Sequence, residues 1–317
     1  MLSILERMKE SAVVFDGATG TMIYSRGVFI NTCYDELNLS NPKLIAELHR
    51  QYVDAGADAI ETNTFGANSI KLRPYGLADK VDAINREAVK LARQAAGESV
   101  YVVASVGPCT QPGQLLPDDR TAEVEAAFAE QIRALVEAGV DAVLLETFSN
   151  LKELQLAAAA ARPFGKPVFA SFTVGDSGET ALGTRAEVLA AALNADENVD
   201  AVGINCGTGP AGAFEALRSI LTATGKPVIV MPNAGFPREV SGRMLYLANP
   251  EYFTEYAKRF IELGARGVGG CCGTTPEHIR VMAKAVKGLA GVKRYVEIKP
   301  AVRPEAPVSY THLRAHE

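Results

Sequence analysis

The sequence predicts a (β/α)8 barrel that forms a single α/β domain over residues 1–295. Three observations lead to this fold class. Short, almost continuously apolar runs recur along the chain, as in parallel strands that are buried on both faces. Amphipathic segments separate these runs, and a chain of 317 residues accommodates one such barrel with extensions. A doubly wound open sheet is the alternative, because alternation of strands and helices does not prove closure.

Each apolar run is followed by polar residues and glycines, which is typical of a strand that ends in a loop. The eight predicted strands are Ala12–Asp16, Ala57–Thr64, Tyr101–Gly107, Ala142–Ser149, Val168–Val174, Ala201–Cys206, Val228–Asn233 and Arg266–Cys272. Predicted amphipathic helices between them include Pro42–Ala55, Thr121–Ala138, Glu187–Ala195, Ala213–Thr222 and Glu251–Leu263. Three helix starts are marked by a capping residue before a proline, at Asn41, Asn249 and Thr275.

Composition excludes several classes of protein. A hydrophobic content of 48% can fill a large core, which excludes global disorder. The net charge of −5 argues against nucleic acid as a partner. No apolar run reaches the ~20 residues that span a bilayer, and Glu6 and Glu10 interrupt the block that a signal peptide needs. We therefore expect a cytoplasmic protein without a membrane partner, whose five cysteines are metal ligands or buried thiols.

The last part of the chain has a different character. Residues 296–307 have no apolar period, and their proline spacing is typical of a linker. Residues 308–317 resemble a translated cloning sequence and are interpreted as a non-native tail. We expect the natural chain to continue beyond the linker.

A repeated register places polar residues at the carboxyl ends of several strands. Counted from the glycine that ends the preceding helix, the eighth residue is Asn63, Glu146 or Cys271 in three similar segments. Asn205 holds the same position relative to its strand. In a barrel this edge is the one that carries catalytic residues, so these positions are candidates for a site.

The cysteines at predicted strand ends suggest a metal site. Cys206 ends the sixth strand, and Cys271 and Cys272 end the eighth. A cysteine on a core strand is usually an inert buried thiol, and we interpret Cys33 and Cys109 in this way. Three thiolates at one rim predict an open, catalytic zinc site, provided that the flanking glycines let the backbone leave strand geometry.

A sulfur-rich zinc site favours a thiol substrate. A free alkyl thiol is only about 3% thiolate at neutral pH, so coordination raises the population of the nucleophile about 30-fold. The alternative, activation of water, is disfavoured because three thiolates make zinc a poor Lewis acid and no histidine stands at a strand end. The nucleophile is then the zinc-bound thiolate of the substrate, without a separate protein nucleophile.

Two carboxylates at strand ends are candidates to bind an ammonium group. Asp16 ends the first strand and Glu146 the fourth. Their alternatives are a helix cap for Asp16 and a rim ion pair for Glu146. The turn of Gly17, Ala18 and Thr19 could offer backbone N–H groups to a carboxylate. A thiol, an amine and a carboxylate bound side by side describe an amino-acid thiol.

With these residues in place, the chain resembles the homocysteine S-methyltransferase family from about Val13 to Leu289. The resemblance is carried by the motifs DGATGT, ETNTFGAN, VGPC, LLETFS, GINCGTGP, MPNAG and GGCCGTTPEHI. It implies a (β/α)8 barrel, the production of methionine, and zinc held by Cys206, Cys271 and Cys272. It also implies that Asp16 and Glu146 bind the amino group of homocysteine, and that Asn233 fills the fourth zinc position without substrate. Asn63, Gly17, Ala18 and Thr19 complete the expected substrate site.

The methyl donor is the open question. Segments 24–42 and 111–117 look most like members of the family that join this module to a methylenetetrahydrofolate reductase domain or to folate and cobalamin modules. The expected donor is therefore methylcobalamin or methyltetrahydrofolate supplied by another domain. Members that use betaine have a tyrosine where this chain has Thr147. Stand-alone enzymes that use S-methylmethionine or betaine are the alternative, and a zinc- or redox-sensing barrel is the non-enzymatic one.

Overall fold

Eight parallel strands follow one another around a ring in the computed structural model, which describes residues 1–235, 237–240, 243–246, 249–287 and 289. The strands are β1 (Val13–Val14), β2 (Ala59–Glu61), β3 (Tyr101–Val106), β4 (Ala142–Phe148), β5 (Val168–Phe172), β6 (Ala201–Asn205), β7 (Val228–Met231) and β10 (Gly267–Val268). Between β7 and β10 the chain forms an antiparallel hairpin of β8 (Pro237–Val240) and β9 (Arg243–Tyr246).

The ring is closed between its first two strands. The sheet runs in the order β1-β10-β7-β6-β5-β4-β3-β2. A parallel bridge between Phe15 and Ala59 then joins β1 to β2, and the Asp58 N–H donates to the Val14 carbonyl at 2.7 Å. The predicted barrel is confirmed, and the open-sheet alternative is wrong.

Helices precede the first strand or follow the strands in turn, and the longer ones that follow strands cover the outside of the barrel. They are α1 (Ile4–Glu10), α2 (Gly20–Ser25), α3 (Leu37–Ser40), α4 (Pro42–Ala55), α5 (Ser69–Leu72), α6 (Val81–Ala96), α7 (Thr121–Glu137), α8 (Leu151–Ala161), α9 (Ala186–Ala195), α10 (Pro210–Ala223), α11 (Pro250–Leu263) and α12 (Pro276–Val286). The five predicted helices are present, with the largest shift at α10, which begins at Pro210 rather than Ala213. Asn249 caps α11 through its side chain, whereas Asn41 makes no such bond at α4, so the capping prediction is wrong at Asn41.

The first and last barrel strands are shorter than the sequence predicts. β1 and β10 each contain two residues, and the chain leaves the sheet before Asp16 and before Cys271. The strand ends give way to loops that are held by backbone bonds across the rim, such as that from the Gly270 N–H to the Asp16 carbonyl at 2.9 Å. The residues at this rim therefore lie in hydrogen-bonded loops and not in the paired part of the strands.

The interior of the barrel is filled at its amino-terminal end by helix α1, which the sequence analysis missed. Ile4 and Met8 pack among the inward-facing side chains of the strands, including Phe15 and Phe169. The Tyr101 hydroxyl donates to the Leu2 carbonyl at 2.8 Å and fixes this plug. Access to the interior is thus left at the carboxyl-terminal rim.

A second and larger cluster of apolar side chains lies between the strands and the surrounding helices. Among the described residues, no helix combines the length and apolar character needed to cross a bilayer. The predicted linker, residues 296–307, and the predicted tail, residues 308–317, lie outside the described residues.

Candidate active site

A cavity of about 440 Å³ opens at the carboxyl-terminal rim of the barrel. Its walls come from the loops after β1 and β2, from the ends of β4 and β6, and from the turn after β10. The three cysteines of the predicted metal site line it together with Glu61 and Glu146. Thiol and carboxyl groups from opposite parts of the sequence therefore share one space.

The structure brings the three predicted zinc cysteines together. The Sγ atoms of Cys206, Cys271 and Cys272 all lie within 4.8 Å of one another. Cys206 has a left-handed backbone with φ of 59° and is followed by Gly207 with φ of 70°. The departure from strand geometry expected at Cys271 and Cys272 is present, because β10 already ends at Val268, and a further turn at Cys206 is an addition to it.

The charge of the thiol cluster is shared unevenly. Hydrogen bonds from Cys271, Cys272 and Asn233 lower the pKa of Cys206 to about 3. Hydrogen bonds to Cys206 and Cys272, together with burial, raise the pKa of Cys271 well above its usual range. The thiolate of Cys206 is therefore stabilised by neighbouring thiol groups. A soft cation would take the place of the protons that these thiols donate.

The residues present fit a zinc ion. Asn233 is 8% exposed, and its Oδ1 atom is buried without a hydrogen-bond partner among the described residues. The Asn233 backbone N–H donates to the Thr208 carbonyl at 3.0 Å, which holds the side chain beside Cys206. A buried acceptor without a partner, on a side chain that bonds Cys206, fits the fourth position of a four-coordinate zinc site.

Glu146 is held by donors from β3, the neighbour of β4, and from β6, which lies two strands away. The Ser105 hydroxyl donates to its Oε1 atom, and the Asn205 side-chain amide donates to Oε2 at 3.0 Å. Burial raises the pKa of Glu146 to about 7 despite these bonds. The carboxyl group therefore faces the cavity in a fixed position. A cation placed against it would stabilise its ionised form.

Asp16 lies deeper than the sequence analysis expects of a ligand. Its side chain is 2% exposed, it is not among the residues that line the cavity, and its Oδ2 atom accepts the Glu61 N–H at 3.0 Å. Burial and the charge of Glu146 raise the pKa of Asp16 well above its usual range. Asp16 belongs to the same carboxyl cluster as Glu146, and its Oδ1 atom is buried without a hydrogen-bond partner among the described residues.

Glu61 is the acidic residue of this cluster that the sequence analysis missed. It is the last residue of β2 and lines the cavity beside Glu146. The signal was present in the sequence, because side chains two apart on a strand share a face and Ala59 points into the barrel. In this segment the eighth position of the repeated register is Asn63, two residues after Glu61, and the prediction therefore fell on Asn63.

The remaining predicted substrate residues lie at the cavity wall. Gly17, Ala18 and Thr19 line it, but the Ala18 N–H already donates to Thr274 Oγ1 at 3.0 Å. Asn63 also lines the cavity, and its amide donates to the Tyr34 carbonyl at 2.7 Å. Ala18 and Asn63 therefore connect rim loops, and Gly17 and Thr19 also line this wall of the cavity.

The two remaining cysteines behave as ordinary buried thiols. Burial raises the pKa of Cys33 to about 11 and the pKa of Cys109 to about 12. Neither belongs to the group of side chains that could hold a metal ion among the described residues. Their protonated state at neutral pH agrees with the interpretation from sequence.

Several known proteins resemble this chain over most of its length. A model of the family described as homocysteine S-methyltransferase matches residues 13–286. Methionine synthase of Mycobacterium tuberculosis is 36% identical over 320 residues, covering 94% of this chain and 26% of that protein. Methionine synthase of Mycobacterium leprae is 37% identical over 304 residues, covering 89% of this chain and 25% of that protein. The chain thus spans about a quarter of the length of these relatives.

A solved structure has the same architecture. The metallated form of the homocysteine methyltransferase MmuM from Escherichia coli superposes with a TM-score of 0.74 at 26% identity. The match covers 87% of this chain and 96% of that chain. The barrel thus corresponds to almost the whole length of MmuM, whereas it corresponds to about a quarter of the mycobacterial relatives.

Proposed function

The chain belongs to the homocysteine S-methyltransferase family, and from this premise we propose that it is a zinc-dependent enzyme that methylates homocysteine to methionine. One observation carries the proposal: a cluster of three thiols and a pair of carboxyl groups line the same cavity. An amino acid with a terminal thiol has one group that suits the cysteine cluster, the thiol, and one that suits the carboxyl groups, the ammonium. The cysteines and the carboxyl groups both face the opening at the carboxyl-terminal rim.

Zinc would be held by Cys206, Cys271 and Cys272, with Asn233 as the fourth ligand before substrate binds. Bound zinc would supply a deprotonated substrate thiol at neutral pH. The short Cys206–Cys272 Sγ separation of 4.0 Å supports the assignment of these sulfurs to one ion.

The protein's own residues would orient the substrate for transfer. Glu146, fixed by Ser105 and Asn205, accepts hydrogen bonds from the substrate ammonium group. The backbone of Gly17 and Thr19 faces the substrate carboxylate. In the transfer step, the sulfur forms a bond to the methyl carbon while the bond to the donor breaks, and the donor keeps that electron pair.

The donor would be a methylated corrinoid or folate presented by another domain or protein. The mycobacterial relatives are about four times as long as this chain, so other parts of those proteins lie beyond the matched barrel. The sequence has no tryptophan, and an aromatic cage for a quaternary ammonium ion needs several converging rings. Phe65 and Tyr75 line the cavity but are 43% and 49% exposed, which leaves them as parts of an open rim.

The test is turnover of homocysteine by the zinc-loaded chain with betaine, S-methylmethionine, methylcobalamin and methyltetrahydrofolate in parallel. We expect slow transfer from free methylcobalamin that does not saturate. Fast, saturable turnover with betaine or S-methylmethionine would contradict the proposed donor and favour a stand-alone enzyme. Reversible disulfide formation among the three cysteines, with no transfer from any donor, would favour a sensor instead.

A further inference from the structure

One buried hydroxyl joins the loop after β1 to the turn that carries two of the three clustered cysteines. Thr274 follows that turn and is fully buried. Its Oγ1 atom accepts the Ala18 N–H at 3.0 Å and donates to the Cys271 carbonyl at 2.7 Å. The two elements come from opposite ends of the sequence, so this single hydroxyl is a direct link between them.

The loop after β1 is held at both backbone polar groups of one residue. While the Ala18 N–H bonds Thr274, the Ala18 carbonyl accepts the hydroxyl of Tyr52, a buried residue of α4, at 2.7 Å. The loop packs directly on Thr274, because a Cβ added to Gly17 would lie 2.7 Å from Thr274 Oγ1. The link therefore fixes Ala18, which lies between the two residues that we propose face the substrate carboxylate, Gly17 and Thr19.

The turn after β10 is held at the backbone of its first cysteine. The Cys271 carbonyl also accepts the Thr274 N–H at 3.1 Å, and the Cys271 N–H donates to the Pro232 carbonyl at 2.8 Å. The methyl group of Thr274 has a contact of its own, because a Cβ added to Gly270 would lie 2.5 Å from Cγ2. The hydroxyl of Thr274 thus connects two parts of the site, whereas its methyl packs within the turn.

We propose that Thr274 is a positioning residue that couples the metal site to the substrate loop, because its hydroxyl sets the place of Cys271 relative to Ala18. Thr274 does not line the cavity and acts through these two residues. Groups that orient metal ligands from outside the coordination sphere affect metal affinity nearly as the ligands do. The inference rests on the proposed function, because it concerns the metal and the substrate of the same site.

The test separates the hydroxyl of Thr274 from its methyl. Thr274→Val keeps the shape of the side chain and removes the hydroxyl, whereas Thr274→Ser keeps the hydroxyl and removes the methyl. Zinc affinity is measured by competition with a chromophoric chelator, and homocysteine affinity by calorimetry on the zinc-saturated protein. We expect Thr274→Val to lower each affinity about 10-fold or more. Thr274→Ser should keep both within about threefold of wild type.

Cobalt provides a readout of geometry that does not depend on stability. The visible absorption of Co(II) responds to the number and arrangement of its ligands. We expect the spectrum of the Co(II)-loaded protein to change in Thr274→Val and to stay as in wild type in Thr274→Ser. Tyr52→Phe removes the other bond of Ala18 and leaves the link to Cys271 in place, so its Co(II) spectrum should also be that of wild type.

Thr254→Val is the matched control. Thr254 is a threonine of α11 that is 5% exposed, and its hydroxyl is buried without a hydrogen-bond partner among the described residues. The same chemical change is thus made at a hydroxyl that joins nothing. Both affinities and the Co(II) spectrum should stay at their wild-type values in this variant.

Two results would overturn the inference. Affinities of Thr274→Val within about threefold of wild type, with an unaltered Co(II) spectrum, would remove the positioning role. Losses in Thr274→Ser as large as those in Thr274→Val would assign the effect to packing, and this variant decides the matter even where Thr274→Val does not fold. Failure of the proposed function is distinguishable, because wild-type protein would then bind no homocysteine while the Co(II) spectra would still report on the link.

Discussion

The side-chain amide of Asn205 donates to Glu146 Oε2 at 3.0 Å, and Asn205 is the residue before Cys206. The same amide donates to Thr147 Oγ1 at 2.7 Å, while its oxygen accepts the Thr147 N–H at 2.8 Å. These bonds hold Thr147 with a φ of 64°, an unusual value for a β-branched residue. One side chain therefore links the end of the strand that carries a thiol to the end of the strand that carries a carboxylate.

Replacing Asn205 should weaken substrate binding without removing the metal. In Asn205→Ala, the donor that fixes Glu146 is lost without adding a charge, so homocysteine affinity should fall at least about 10-fold. Zinc content should remain near one per chain. The control is Ser171→Ala, which removes the hydroxyl that donates to Asn205 Oδ1 at 2.8 Å from the side away from Glu146. Equal losses of homocysteine affinity in the two variants, measured by calorimetry, would contradict the prediction.

The thiol cluster should determine metal binding. Cys206→Ser should remove most of the zinc, because a hydroxyl is a poor ligand for zinc in a sulfur-rich site. Cys109→Ser, at a buried thiol outside the cluster, should leave the zinc in place. Elemental analysis after purification without chelator measures both. Full zinc content in Cys206→Ser would exclude the site.

Glu146 should act on the substrate rather than on the metal. Glu146→Gln keeps the size of the side chain but removes its charge, so homocysteine affinity should fall by about 10- to 100-fold. Zinc affinity should change far less. The comparison requires titration of both ligands on one preparation, and an unaltered homocysteine affinity would show that Glu146 does not bind the amine.

A glycine after the first metal cysteine should be irreplaceable for reasons of space. Gly207 has φ of +70°, and an added Cβ would lie 2.3 Å from the Val174 carbonyl oxygen. Gly178 has nearly the same backbone, with φ of +75°, but open space around it. Gly178→Ala should therefore cost only about 1–2 kcal/mol of unfolding free energy, the left-handed backbone penalty. Gly207→Ala should cost distinctly more in urea unfolding; equal costs would contradict the steric argument.

A buried histidine should make the protein sensitive to mild acid. His49 is 2% exposed, and burial lowers its pKa to about 4. An unfolded histidine binds a proton near pH ~6.5, so the unfolded state gains protons first as the pH falls and the folded state loses stability between about pH 6.5 and 4. At pH 5 the loss is about 2 kcal/mol at most.

His49→Phe removes this titration and should flatten the difference in unfolding free energy between pH 7.5 and pH 5. Asp35 has the opposite sign: burial raises its pKa to about 6, so its contribution decreases as the pH rises. Subtracting wild type from variant at each pH cancels that contribution. A difference that does not change with pH would show that folding leaves the pKa of His49 at its unfolded value.

The sequence was sufficient for the barrel and for the thiol cluster because both depend on local signals. Apolar runs identify buried strands, and adjacent cysteines between glycines identify a turn that can bring thiols together. The direction of an acidic side chain after a strand has no such signal. Asp16 follows a strand of two residues, and bonds across the rim turn it toward β2, so its place behind Glu61 depends on tertiary contacts. The packing of α1 inside the barrel likewise depends on its fit to the interior rather than on its length of seven residues.

Helix α1 closes one end of the barrel, so the cavity has a single mouth. In the proposed reaction the thiol lies at the bottom of that cavity and the methyl donor approaches above it. The amino acid must therefore enter first and leave last, with the demethylated donor departing in between. In the proposed reaction, the plug at the far end of the molecule would thereby impose a compulsory order of binding on the steady-state kinetics, although it touches neither reactant.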